Sequence, residues 1–406
     1  KAMPITPPFE GRQVSFLKAC IHGVNALSGI GILSIPYALS QGGWLSIILL
    51  LVIGATAWFT ALLLRRCMDA HTHIKTYPDI AEHAFGPRGR IVVAIFSYLE
   101  LYLVSTGLLI VEGDNLNKLA PHFALRLGRL KLKGQHSFIL LSGFAILPSM
   151  WLNDMSMLSY VSAGGVISSI ILMVSILCVG ATSGVGFHGE SKLMNIKGLP
   201  TALSLYIFCY GAHGLFPTMY SSMKERRKFS KVLLLSFVLS TGTNILMAIL
   251  GYLMYGKNVQ SQVTLNLPIQ NLSSKIAIYT TLAGPIAKYA LMMAPLATAL
   301  ESRVPASYKH TKLVTILIRT ALLFSTVVLA IVFPFFGFLM ALVGSCLIVL
   351  ISFLLPCVCY LKISGAYKNV GYEVVGIVGI MLIAVLVGVV GTYSSLAQSL
   401  QHVHTN

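Results

Sequence analysis

Charge is scarce in this sequence: Asp, Glu, Lys and Arg make up 10% of 406 residues, against about 25% in a soluble domain. So little charge cannot cover a water-exposed surface. With 56% apolar residues, the chain is read as a polytopic membrane protein. Acidic residues are rarest, 12 against 29 Lys and Arg, which leaves a net charge of +17. That excess does not point to nucleic acid, because the cations sit in short segments flanking apolar runs, where membrane orientation places them. No cysteine spacing suits a disulfide framework or a zinc site. Cys20, Cys67, Cys178, Cys209, Cys346, Cys357 and Cys359 fall mostly in or at the ends of apolar runs and are read as small packing residues. Enzyme signatures are missing as well: no G-x-S-x-G, no H-E-x-x-H, no P-loop and no paired intramembrane aspartates. No hydrophilic stretch is long enough for a nucleotide-binding domain, so any transport is expected to be secondary, driven by an ion gradient. A signal peptide is missing too, since residues 1–18 are polar and proline-rich and the first apolar run is far longer than a signal core. The first residue is Lys rather than Met, so an upstream segment is expected, with residues 1–15 read as a cytosolic N-terminal segment.

What is present is a series of apolar runs. A spanning helix needs about 20 apolar residues, and that template fits eleven stretches: 16–41, 44–68, 90–119, 137–152, 158–182, 199–223, 232–255, 276–300, 313–333, 338–361 and 374–396. Residues 77–86 are expected to form a short surface helix, with Pro78 in its first turn and Gly86 after its end. Residues 126–133 read as a basic loop, and Glu112 and Asp114 as solvated interface residues. With the N-terminus in the cytosol, cytosolic segments carry 18 Lys and Arg and the opposite face nine, which supports that orientation and a luminal or external C-terminus. The sequon Asn271-Leu272-Ser273 then lies on the non-cytosolic side, making Asn271 a glycosylation candidate.

Two of the runs are interrupted. The first carries Asn25-Ala26-Leu27-Ser28-Gly29-Ile30-Gly31 and then Pro36; the sixth carries Tyr210-Gly211-Ala212-His213-Gly214 and then Pro217. Glycine and proline are poor helix-interior residues. Tight glycine packing of an unbroken helix explains either stretch alone. Five spans separate the starts of the two, however, so they enter from opposite faces. Interrupted helices in matching positions of two halves are the mark of an inverted-repeat transporter with its site at the midplane. A half-helix starting after Gly29 would aim free N–H groups at a carboxylate, and the preceding half-helix would aim carbonyls at an ammonium. The backbone of an amino acid matches both. Asn25, Ser28, Gly29, Ile30, Gly31, Tyr210, Gly211, Ala212 and His213 are the candidate binding residues, with Tyr210 and His213 shaping the side-chain pocket. Neither break holds a carboxylate side chain, which favours a zwitterion over a cationic substrate.

Lys288 stands inside the eighth run. A charge at a helix centre costs on the order of 2.5–3.5 kcal/mol on insertion scales. A lysine that gains and loses a proton inside the bundle is a candidate coupling group, and its ammonium could take the place of a sodium ion. Glu100, on a face with Ser97, Val104 and Gly107, is its expected partner.

Gly29-Ile30-Gly31-Ile32-Leu33-Ser34-Ile35-Pro36-Tyr37-Ala38 followed by Gly42-Gly43-Trp44 resembles the first-helix signature of the amino acid/auxin permease family. Residues 77–86, Tyr-Pro-Asp-Ile-Ala-Glu-His-Ala-Phe-Gly, resemble its loop motif. Glu112-Gly113-Asp114-Asn115-Leu116, Lys288-Tyr289-Ala290-Leu291 and Pro295-Leu296 are similar to the vacuolar amino acid transporter branch of plants and fungi, close to the vesicular inhibitory amino acid transporters. The resemblance implies an all-α, eleven-span LeuT-type fold with a five-plus-five inverted repeat. The repeats would be 16–182 and 199–361, with an eleventh helix at 372–398. It also implies proton-linked antiport of neutral amino acids across a vacuolar membrane, by a carrier with no cofactor beyond the proton gradient. A monomer in a lipid bilayer, with no nucleic-acid partner, is expected. An auxin or organic-acid carrier, or an amino-acid-sensing receptor built on the same fold, are the alternative functions.

Overall fold

The computed structural model describes residues 14–71, 73–127, 130–151, 158–182, 184–305, 312–368 and 371–405. Nearly all of these residues are helical, and among them eight helices are long and apolar enough to cross a membrane. Three of the runs read from the sequence do not qualify. The first is divided into α1 (Phe16–Leu27), a 3-10 turn (Ile30–Leu33) and α2 (Ile35–Gly42). The fourth is the 17-residue α5 (Gln135–Trp151), which follows α3 (Ser46–Ala70) and α4 (Tyr77–Leu119). The sixth, after α6 (Leu158–Thr182), is divided into α7 (Leu199–Phe208) and α8 (Phe216–Ser222). The chain continues through α9 (Phe229–Tyr255), α10 (Leu272–Glu301) and α11 (Lys312–Val332). Next come α12 (Phe336–Leu342), a π-helical stretch (Val343–Leu354) and α13 (Leu355–Ser364), and finally α14 (Tyr372–Thr405).

Three sequence expectations are corrected here. The piece at 77–86 reaches the surface only along the side of His83 and Phe85. Tyr77, Ile80 and Ala81 are buried, and the Tyr77 hydroxyl donates to the Ile351 carbonyl at 2.5 Å. Its helix does turn at Gly86, where φ is +72, a conformation only glycine adopts without strain. Arg90 reaches back across that bend to Asp79 (2.8 Å) and Glu82 (2.5 Å) and holds the two arms together. The basic loop is a two-stranded antiparallel hairpin, β1 (Ala124–Leu127) on β2 (Leu130–Lys133). Its alternation of leucine with Arg or Lys is strand patterning that a charge count overlooks. Glu112 is not solvated but 1% exposed, and Asp114 accepts a hydrogen bond of 2.6 Å from Gln262 Nε2. The loop after α9 folds over the end of α4 and holds Asp114, Asn115 and Lys118.

Packing sets the two broken helices side by side. The amide of Val14, ahead of α1, donates to the Ser222 carbonyl at the end of α8 (2.9 Å), and the Lys224 amide donates back to Val14 O (3.0 Å). One broken helix therefore begins where the other ends, and the two run in opposite directions. The face carrying this contact is called the near face below. α1 and α2 pack along α9, α10 lies against α4 and α6, and α7 lies against the π-helical stretch.

Candidate functional site

Both interruptions are real breaks in hydrogen bonding. The amides of Gly29, Ile30 and Gly31 make no hydrogen bond among the described residues, and neither do the amides of His213 and Gly214. Each unsatisfied backbone group inside hydrocarbon costs several kcal/mol, so such groups survive only where they face a cavity or protein. The breaks touch each other. A side chain built on Gly31 would meet Cys209 Sγ at 2.8 Å, so only glycine lets the first break lie against the second.

A cavity of about 310 Å³ opens beside this contact. That is the lower end of the range for small-molecule sites, roughly 300–1,000 Å³. Asn25, Gly29, Ile30 and Gly31 form one wall, and Gly211 and Ala212 another. Glu100 and Lys288 complete it from α4 and α10. Thr76, Ala94, Thr218 and Pro295, which lie toward the near face, line its outer end. The space thus runs from the two breaks to the face where the chain begins. The opposite, far face is shut by the loop after α9. Gln262 bridges Asp114 (2.6 Å) and Asn115 (2.8 Å), and Lys118 Nζ donates to the carbonyls of Thr264 (3.0 Å) and Leu265 (2.5 Å).

The remaining candidates fall elsewhere. Ser28 does not face this cavity; its hydroxyl donates to Ser240 at 3.3 Å. Tyr210 and His213, expected to shape the side-chain pocket, do not border this cavity. Both are 0% exposed and bond to neighbouring helices: the Tyr210 hydroxyl with Thr241 (2.9 Å), and His213 Nε2 with Thr60 and the Ala57 carbonyl (3.0 Å each). The chain has turned by then, so these rings point outward into α3 and α9 while the backbone beside them faces the cavity. Lys288 and Glu100 share the cavity wall, but the expected ion pair is not made. Neither forms a hydrogen bond or ion pair among the described residues. Asn271 precedes α10 on the far face and is half-buried. Among the described residues no group of three or more His, Cys, Asp or Glu could hold a metal ion.

This arrangement has parallels. Residues 12–401 match the family described as transmembrane amino acid transporter protein. The chain belongs to that family. Amino acid transporter AVT1I of Arabidopsis thaliana is 52% identical over 382 residues, 94% of each chain. Amino acid transporter AVT1J of the same plant is 49% identical over 385 residues, 95% of this chain and 91% of that one. Among solved structures, a substrate-bound, outward-open Na+-coupled sialic acid symporter superposes with a TM-score of 0.55. It shares 14% sequence identity, over 93% of this chain and 88% of that one. At that identity the likeness concerns the fold alone, which is LeuT-like. This transporter is therefore an all-helical, multi-pass membrane protein and not an enzyme.

Several residues of the site were not foreseen. Gly165 of α6, Cys209, Ile348 of the π-helical stretch and the Gln262 bridge escaped the sequence reading. The Gly164-Gly165 pair followed by Ser168-Ser169 was a usable signal; the others become visible only once helices distant in sequence are adjacent.

Proposed function

We propose that this transporter exchanges neutral amino acids for protons across the vacuolar membrane, by alternating access around the cavity between the two breaks. The observation that carries the reading is the set of unbonded amides at Gly29, Ile30, Gly31 and Gly214, grouped around one cavity. Such amides, with the dipole of the half-helix behind them, suit a substrate carboxylate. The carbonyls that end α1 suit its ammonium. Glu100 and Lys288, one acid and one base, leave the wall without net charge, which supports a zwitterion over a cation. Lys288, unpaired beside the unwound stretch, is the proton-coupling group in this reading, with Glu100 as a second candidate.

The associated architecture is eleven spans in a five-plus-five inverted repeat, 16–182 and 199–361, followed by 372–398, working as a monomer. The antiparallel course of the two broken helices supports it. The near face would be cytosolic and the C-terminus luminal. The cavity in this conformation would then be open toward the cytosol.

Reconstitution tests the reading directly. Purified protein in vesicles is expected to take up radiolabelled neutral amino acids in response to a pH gradient, and Lys288→Ala is expected to abolish that response while the protein still folds. Uptake by the wild type that ignores the gradient overturns the coupling. A thermal-shift screen with the twenty amino acids and several organic acids tests the substrate class, since a ligand of the native state raises apparent stability. Stabilisation by organic acids alone would replace it with the carboxylate-carrier reading.

A further inference from the structure

The near face carries a run of cations that acids do not answer. Five of the eight residues from 224 to 231 are Lys or Arg, with Glu225 the single acid. Residues 224–228 and Lys231 are exposed. Glu225 pairs with Lys228 (2.8 Å), while Arg226 lies over the Tyr220 ring and donates to the Ser221 carbonyl (3.2 Å). The side chains of Lys224, Arg227 and Lys231 form no ion pair or hydrogen bond among the described residues. Asp69, which bonds Tyr220, is taken by Arg65 (3.0 Å). Other cations of the near face are matched: Arg66 by Glu373, and Arg90 by Asp79 and Glu82. Membrane orientation needs only an excess of charge on one side. It does not need three unpaired cations gathered in eight residues.

The backbone that presents them is anchored at both ends. Met223 and Phe229 are buried, and the Lys224 amide is bonded to Val14. Phe229 meets the Tyr220 ring edge-on at 5.4 Å, and Arg65 donates to the Ser230 hydroxyl. Beyond the cations α9 turns an apolar side outward. Leu234, Leu235, Val238 and Leu239 are exposed, three, four, seven and eight residues after Lys231 and therefore on its side of the helix. At 1.5 Å per residue, Lys231 stands roughly 5 Å outside that apolar side, and Arg227 about one turn further out. Lysine and arginine so placed sit at headgroup level.

We propose that residues 224–231 bind a phospholipid whose headgroup carries a phosphomonoester, of the phosphatidylinositol monophosphate kind, with its acyl chains along the exposed side of α9. A cluster of four to eight cations directly cytoplasmic of a spanning helix attracts anionic headgroups, and the cytoplasmic leaflet is the anionic one. That agrees with the orientation proposed above. Charge selects the headgroup. A phosphodiester brings one negative charge, and a phosphomonoester adds about 1.5–2 near neutral pH. The sum is roughly three, against three free cations. The guanidinium fork of Arg227 suits bidentate capture of phosphate oxygens, and the two ammonium groups act as point charges. Leu234, Leu235, Val238 and Leu239 give the lipid tails a surface that a soluble phosphate does not use. The site is separate from the cavity and stands whether or not Lys288 couples protons.

The test uses the full chain purified in detergent, so it needs neither transport nor a chosen membrane side. Dioctanoyl phosphatidylinositol monophosphate is titrated, and the rise in thermal stability gives an apparent Kd. The wild type is expected to bind this lipid and not dioctanoyl phosphatidylcholine. Arg227→Gln with Lys231→Gln is expected to raise Kd about thirtyfold, at roughly fivefold per cation. Arg227→Lys with Lys231→Arg, which keeps the charge, is expected to stay close to the wild type. Lys192→Gln with Lys197→Gln removes the same charge from exposed positions of the far face and is expected to leave Kd unchanged. An unchanged Kd in the near-face pair overturns the proposal, and so does an equal loss in the far-face pair, which would mean a response to net charge alone. Equally tight binding of soluble inositol phosphate overturns the lipid, and equally tight binding of dioctanoyl phosphatidylserine overturns the phosphomonoester. Should the near-face pair fail to fold, Lys224→Gln, which keeps the amide bond to Val14, is read the same way, with a loss of about fivefold expected.

Discussion

Gln262 holds Asp114 with its amide nitrogen (2.6 Å) and Asn115 with its amide oxygen (2.8 Å), so one side chain of the loop after α9 locks two consecutive residues of α4. The lock closes the far face while the cavity extends to the near one. For alternating access it must release, since a carrier open on one side only moves nothing. Gln262→Ala is expected to favour the far-open state roughly tenfold, the scale of a hydrogen bond to a charged group. The measurement is labelling of Leu108→Cys, in the cavity wall, by an impermeant thiol reagent applied from the far face, in a Cys209→Ala background. Unchanged labelling would show that the bridge does not govern that face.

The contact between the breaks predicts a compensating pair. Gly31→Ala would drive a methyl onto Cys209 Sγ, and overpacking of this kind costs about 1–3 kcal/mol. Cys209→Ala removes the obstructing sulfur. The double variant is expected to be more stable than Gly31→Ala alone, with a coupling between the two sites of roughly 0.5–3 kcal/mol. Thermal unfolding of the four proteins in detergent measures it, and strict additivity would mean the breaks do not touch.

His213 separates a structural from a substrate-contacting role. Its ring is buried and bonded to Thr60 and the Ala57 carbonyl, outside the cavity. His213→Leu is expected to cost about 1–3 kcal/mol of stability through the polar groups left unpaired, and to leave KM for the amino acid unchanged in the protein that folds. Gly211→Val is the contrast. A side chain there runs into Ile348 at the cavity wall (2.3 Å), so KM is expected to rise in the protein that folds, beside an overpacking cost of about 1–3 kcal/mol. A raised KM in His213→Leu would return that ring to the substrate site.

Two acids of the bundle should respond differently to neutralisation. Glu301 pairs with Arg319 at 2.8 Å, and Arg319, 7% exposed, also donates to the Met150 carbonyl (2.9 Å). Glu301→Gln removes the charged partner, while Arg319 keeps its bond to the Met150 carbonyl, so the expected cost is about 1–3 kcal/mol. Glu100 has no such partner among the described residues, so Glu100→Gln is expected to cost clearly less in thermal unfolding while changing the pH profile of uptake. Equal destabilisation by the two would mean that Glu100 is paired in the membrane.

The sequence alone determined the membrane class, the apolar runs and the place of both helix breaks. These are local properties: charge density, run length, and glycine and proline inside hydrocarbon. Gly86 as the stop of the loop helix was legible for the same reason, since its φ of +72 needs a residue without Cβ. Direction was not legible at that level. The sequence pointed to Tyr210 and His213 as pocket side chains, but only the turn after α7 decides that the backbone faces the cavity and the rings face α3 and α9. It also offered Glu100 as the partner of Lys288, because both are rare charges. Tertiary structure instead set Lys288 between the Asn25 side-chain oxygen and a small space lined by hydroxyls of Ser28, Ser168, Ser169, Thr280 and Thr281, bounded by the unwound stretch, α6 and α10. Hydrogen bonds and contacts across more than a hundred residues depend on how helices rotate about their own axes. Hydropathy, which sums over a window, carries no record of that rotation.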